Sequence, residues 1–172
     1  LSDLRYGKVL IMTDADTDGF HIKSLLVNFI GNGWPELLKQ NFVSSMVTPV
    51  IKLTKRNNIL PFYNLSDYNK WKQENNITGW KVKYYKGLGT STRDEAKEYF
   101  KSMKTLSYIS ETNEDDKSLE MAFTKTQAEL RKKWILENIK NPETLDYTKC
   151  KVNIKDLVNK ELVLFSIEDN IR

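Results

Sequence analysis

At 172 residues the chain has the length of about one domain and can bury a sizeable core. Hydrophobic residues make up 40% and charged residues 29%, which excludes a collagen-like, low-complexity or wholly disordered chain. Lys and Arg exceed Asp and Glu to give a net charge of +4, a mild excess that permits a polyanionic partner without demanding one. No apolar run approaches the ~18 residues that a membrane helix needs. The chain opens at Leu1 with no apolar leader, so we expect no signal peptide and a piece of a longer protein. Cys150 is the lone cysteine, which rules out an internal disulfide and fits a reducing compartment. His21 is the lone histidine, which rules out a His-rich zinc site.

Val9-Leu10-Ile11-Met12 reads as a short strand buried on both faces. Ile22, Leu25, Leu26, Phe29 and Ile30 then recur at helical spacing and predict a helix with one apolar face, ending near Gly31 and Gly33. Strand, short turn and helix make the first half of a βαβ unit. A short helix follows over Trp34 to Lys39, with Pro35 in its first turn. Phe42 to Thr54 reads as strand and pairs as a hairpin with Ile59 to Tyr63 across the Arg56-Asn57-Asn58 turn. Ser66 is the expected N-cap of a helix running to about Glu74. Trp80 to Tyr85 alternates as a strand does, followed by Lys86-Gly87-Leu88-Gly89-Thr90-Ser91 and a helix carrying Ala96, Tyr99, Phe100 and Met103 on one face. Thr105 to Lys117 shows no period and reads as a mobile surface loop. Ser118 to Lys140 reads as helix broken near Phe123-Thr124, then Lys149 to Lys155 as strand and Leu157 to Phe165 as helix.

Asp14, Asp16 and Asp18 stand where a strand gives way to a helix, and Gly19 follows them. In open parallel sheets, ligands bind beyond the carboxyl ends of the strands. Like charges so close are unfavourable unless neutralised. A hard cation such as Mg²⁺, which takes one or two carboxylates plus water and phosphate, does this. The competing reading is a solvated turn with Asp18 as helix cap. An EF-hand is excluded, because its twelfth loop position must be Glu and here it is Leu25. A haloacid-dehalogenase-like phosphatase also places D-x-D after a strand and stays open as an alternative, as does a non-catalytic DNA-binding module. The Gly87 and Gly89 loop reads as an anion cradle helped by Lys86 or as an ordinary tight turn. Arg131-Lys132-Lys133 reads as a solvated helix face or, with Lys81, Lys83, Lys86 and Lys125, as a stripe for phosphate contacts. His21 is expected to hydrogen-bond the acidic loop rather than a phosphate.

The run Ile11-Met12-Thr13-Asp14-Ala15-Asp16-Thr17-Asp18-Gly19 resembles the TOPRIM domain of eukaryotic-type DNA topoisomerase II. Trp80 to Ser91, Asn159 to Phe165 and Asp169 to Arg172 resemble the same enzymes in collinear order. The resemblance implies an α/β fold: a Rossmann-like TOPRIM parallel-sheet domain over residues 1–140 with flanking helices. Residues 141–172 would then be a C-terminal extension leading to a winged-helix domain. It implies a Mg²⁺ site (Mn²⁺ or Ca²⁺ substituting) made by Asp14 and Asp16, with Asp18 in support and an upstream Glu outside this chain. It implies DNA contacts from Arg131 and Lys132, with Lys86 secondary, and a nucleophilic tyrosine downstream of Arg172. The whole enzyme would be an ATP-dependent homodimer acting on double-stranded DNA, with ATP bound outside this chain and no membrane involved. It would be nuclear in a cellular eukaryote, or in host cytoplasm or virion if viral. Ala15, Thr17 and Phe20 depart from animal members and point to a viral or protist one.

Overall fold

The computed structural model of the protein describes residues 3–171. In chain order the elements are β1 (Val9–Ile11), α1 (Thr17–Gly33), α2 (Pro35–Lys39), β2 (Val43–Met46), β3 (Ile51–Lys55), β4 (Asn58–Phe62), α3 (Leu65–Glu74), β5 (Lys81–Tyr84) and α4 (Arg93–Lys101). Then come β6 (Thr105–Ile109), α5 (Asn113–Phe123), α6 (Ala128–Asn138), β7 (Lys151–Asn153), α7 (Ile154–Leu157), a π-turn (Val158–Leu162) and α8 (Val163–Ile171). Contacts group these into two compact units, one of residues 3–13, 17–46 and 105–171, the other of residues 14–16 and 47–104.

The first unit is built on a four-stranded sheet in the order β1-β2-β6-β7. β1 pairs parallel with β2, and β6 parallel with β7, while β2 and β6 run antiparallel. Helices α1 and α2 make the crossover that parallel neighbours require, so the expected βαβ unit is present. Two expectations change here. β1 is an edge strand with Val9 exposed, so it is not buried on both faces. Thr105 to Lys117 is not a mobile loop: β6 lies between two partners, with Leu106 and Tyr108 fully buried, and α5 begins at Asn113. Thr-Leu-Ser-Tyr-Ile alternates polar and apolar over its first four residues, a strand signal only a few residues long, and pairing on both edges satisfies its backbone. The break near Phe123-Thr124 is present, between α5 and α6. Residues 141–171 contribute β7 and the C-terminal helices to this unit, burying Val152, Ile154, Leu157, Val158 and Val163.

Helix α1 turns a different face inward than its hydrophobicity suggests. Ile22, Leu25, Leu26 and Phe29 are exposed, while Gly19, Lys23, Ser24 and Val27 are buried. The Lys23 ammonium is 2.5 Å from Glu161 Oε2, and both side chains are almost wholly shielded from water. Tyr147 donates to Glu161 Oε1 at 2.6 Å, so the carboxylate has a partner on each oxygen. Burial opposes the Lys23 charge, but the attraction and hydrogen bonding of Glu161 and Tyr108 together outweigh it and raise the pKa above the ordinary value. Burial likewise pushes the Tyr108 phenol up to about 12, against the pull of Lys23.

The second unit carries a three-stranded antiparallel sheet in the order β4-β3-β5. The expected hairpin is β3–β4, closed by a turn in which Arg56 has φ +55°. Phe42 to Thr54 is not one strand, however. Residues 47–50 leave the ladder between β2 and β3, and Pro49 there has no N–H to donate to one. Ile51, Leu53 and Tyr68 are buried with Phe62, Trp71 and Trp80 packed around them. The N-cap of α3 is Asn64, whose side chain accepts from Asp67 N–H at 2.7 Å, rather than Ser66.

Candidate metal and nucleic-acid site

Asp14 and Gly87 meet inside the second unit. Gly87 has φ +81° and ψ 178°, a conformation open almost only to glycine. A Cβ built on it would lie 2.5 Å from Asp14 Cγ and Oδ2 and 2.6 Å from Oδ1. The Asp14 carboxylate therefore rests on the Cα of Gly87, in space that any side chain would fill. The next residue, Leu88, donates its N–H to Asp14 Oδ1 at 2.7 Å. Among the described residues no hydrogen bond reaches Oδ2 of Asp14, and the residue is exposed. The glycine loop does cradle an anion, but the anion is the chain's own carboxylate.

The loop braces itself. Thr90 donates its hydroxyl to Gly87 O at 2.8 Å and accepts from Lys86 N–H at 3.0 Å. A short 3₁₀ turn over Leu88–Thr90 leads to Thr92, which caps α4 in a capping box with Glu95. Glu95 gathers more than a cap requires. Its Oε2 accepts from Lys83 Nζ at 2.7 Å and from Thr92 N–H at 2.7 Å, and Tyr85 donates its phenol to Oε1. Lys52 stands 3.9 Å from Oε1. Burial disfavours the Glu95 carboxylate, but the hydrogen bonds from Lys83, Tyr85 and Thr92 outweigh it and hold its pKa down at about 2. Burial and the Glu95 charge together push the Tyr85 phenol well above its ordinary range. The T-x-x-E pattern at Thr92 to Glu95 was readable as a helix start, but its reach across the loop was not.

Asp16 is exposed on the same short acidic segment, and Asp18 is exposed in the first turn of α1, where a carboxylate suits the helix dipole. Among the described residues no three His, Cys, Asp or Glu side chains gather into a metal-holding group. Lys86 is exposed beside the glycine loop. Arg131 is half-buried and donates Nη1 to Met121 O at 3.0 Å and Thr124 O at 2.6 Å, which ties α6 to the C-terminal end of α5. Lys132 is exposed and paired with Glu129 at 2.6 Å. His21 does not reach for the acidic loop; its ring stacks on Phe165 at 4.0 Å, 12° from parallel.

Residues 46–170 match the protein family described as the C-terminal associated domain of TOPRIM. The chain belongs to this family. The matched stretch of this TOPRIM-associated chain holds the glycine loop and Glu95, whereas the aspartates precede it. Over its full length the chain is 45% identical to DNA topoisomerase 2-alpha of Gallus gallus and 47% identical to DNA topoisomerase 2 of Drosophila melanogaster. It spans 12% and 13% of those two proteins, so it corresponds to a segment of a type II DNA topoisomerase. A crystal structure of the topoisomerase II DNA-binding, cleavage and re-ligation domain of Plasmodium falciparum superposes with a TM-score of 0.91 at 43% identity, over 98% of this chain and 23% of that one. A family of this kind implies a divalent metal.

Proposed function

We propose that this chain is the part of an ATP-dependent type II DNA topoisomerase that holds Mg²⁺ beside the DNA to be cut. The observation that carries the reading is the seating of Asp14: one oxygen is held by Leu88 N–H, and the carboxylate lies flush against Gly87. The donor set fits the ion. Mg²⁺ keeps most of its waters and takes one or two carboxylates plus phosphate oxygens, which Asp14 and its exposed neighbour Asp16 can supply without a closed cluster. When bound, the ion would supply electrostatic stabilisation of charge on the scissile phosphate and the leaving 3′-oxygen. The chain's own part is to hold the carboxylates ready. Leu88 N–H holds one oxygen of Asp14, and the carboxylate lies in the space that a side chain on Gly87 would fill. Lys86, Lys132 and the remaining face of Arg131 would meet the DNA backbone, so affinity should fall steeply with salt.

In this reading the nucleophilic tyrosine is carried by a winged-helix domain that follows the segment 141–172, and residues 1–140 form the TOPRIM domain proper. The whole enzyme is a nuclear homodimer, with ATP bound in another domain. Among the described residues no helix is long and apolar enough to cross a membrane. The phosphatase alternative gains no support, since the fold and the relatives above are those of topoisomerases. The test is a gel assay for the Mg²⁺-dependent covalent DNA complex in full-length enzyme carrying Asp14→Ala or Asp16→Ala. Both variants should lose the complex while keeping the wild-type melting temperature. Wild-type cleavage by both would end the proposal.

A further inference from the structure

We propose that Glu95 is a positioning residue for Asp14, acting through the glycine loop; this rests on reading Asp14 as a metal-holding carboxylate. The capping box at Thr92 accounts for Thr92 Oγ1 accepting from Glu95 N–H at 3.3 Å and for Glu95 Oε2 accepting from Thr92 N–H, but not for Lys83 and Tyr85. The Glu95 side chain does something further. It binds Thr92 N–H, where the loop enters α4, and it binds Lys83 and Tyr85, where the loop leaves β5. One carboxylate thus ties together the two ends of the segment between residues 85 and 92. The turn between those ends carries the two atoms that seat Asp14, the Gly87 Cα and the Leu88 N–H.

The geometry leaves little slack. A loop this short, with an internal Thr90 brace, transmits a shift at either end to Leu88 N–H. The hydrogen bond from Leu88 to Asp14 is 2.7 Å, at the short end of the ordinary range, so the carboxylate is held closely by the loop. Among the described residues Glu95 makes no hydrogen bond to Asp14; its partners are Lys83, Tyr85 and Thr92, so its effect on metal would pass through the loop. Partners that orient metal ligands in this way typically cost about 10–100-fold in metal affinity when removed.

The experiment uses full-length enzyme with Glu95→Gln, Tyr85→Phe, the double variant and Asp14→Ala. Mn²⁺ affinity is read by electron paramagnetic resonance, alongside the Mg²⁺ concentration giving half-maximal covalent complex and the melting temperature. Glu95→Gln should weaken Mn²⁺ binding about tenfold, and Tyr85→Phe should weaken it less, in the same direction. The double variant should be no weaker than Glu95→Gln alone, because both changes act through one carboxylate. A lowered melting temperature with unchanged Mn²⁺ affinity in Glu95→Gln would make Glu95 a helix cap only and overturn the proposal. If Glu95→Gln does not fold, wild-type Mn²⁺ affinity in Tyr85→Phe overturns it equally. Asp14→Ala separates the two ideas. Undiminished Mn²⁺ binding by that variant sinks the reading of Asp14 itself, whereas its loss with an unaffected Glu95→Gln sinks only the role of Glu95.

Discussion

Replacing Gly87 by alanine strikes the candidate site twice. The backbone there sits at φ +81° and ψ 178°, a region that residues with a Cβ enter at a cost of about 1–3 kcal/mol. The new methyl would also lie 2.5 Å from the Asp14 carboxyl carbon, where 3.4 Å is ordinary contact. Either the carboxylate withdraws by about 1 Å or the loop does, and a displacement of about 1 Å at a reacting centre can cost about a hundredfold in rate. Gly89 is the matched control, because a Cβ there meets nothing within 4 Å. In full-length enzyme, Gly87→Ala should fold with a lowered melting temperature. It should form covalent DNA complex at a rate reduced by about two orders of magnitude, with a raised Mg²⁺ requirement. Gly89→Ala should stay close to wild type in all three measurements. Wild-type Mg²⁺ dependence in Gly87→Ala would refute the claim that the Asp14–Gly87 contact matters.

Other outcomes follow from the packing and the charges. Lys23→Met leaves Glu161 buried without its cation and should cost about 3–5 kcal/mol in chemical denaturation, whereas Lys23→Met/Glu161→Gln should recover most of that loss. The Lys23 contribution to stability is complete below its ordinary pKa of 10.5 and is lost as pH rises through the raised folded value, so alkaline melts of wild type should fall more steeply than those of the double variant. Glu95 behaves in the opposite sense. Its stabilisation is present above the ordinary value of 4.5 and disappears as pH falls toward about 2, so acid titration of stability should be shallower in Glu95→Gln than in wild type. The exposed stripe of Ile22, Leu25, Leu26 and Phe29 should make the isolated 172-residue chain bind a hydrophobic dye and self-associate. Leu25→Lys/Phe29→Lys should reduce both, and sedimentation with no difference between the two proteins would contradict this.

Several features are legible in the sequence. The β1–α1 junction, the β3–β4 hairpin, the strand–glycine loop–helix at β5–α4 and the α5–α6 break each rest on local signals: turn residues, period and caps. Local chemistry also marked Asp14 and Gly87 as residues worth attention, one by its neighbours Asp16 and Asp18, the other by its place between strand and helix. What local signals missed has a common cause. β6 read as a loop because residues 105–117 taken together show no period, and it is a strand because β2 and β7 pair with it from both sides. The stripe on α1 was an inward face by pattern and is an outward face in the fold, where Gly19, Lys23, Ser24 and Val27 are buried instead and Lys23 pairs with Glu161. Arg131 and Lys132 read as a solvated helix face or as DNA contacts, and only the fold gives them their partners on the same and the preceding helix.

The sequence by itself determined the chemistry on offer: an acidic segment after a strand, a glycine loop before a helix, and the family to which such a combination belongs. Tertiary structure alone decided that Asp14 and Gly87 touch, that Leu88 N–H aims at the carboxylate, and that Glu95 ties both ends of that loop. The physical reason is separation along the chain. Period, capping and turn preference act over a few residues, whereas a carboxylate resting on a glycine 73 positions away depends on where two segments are carried by everything folded between them.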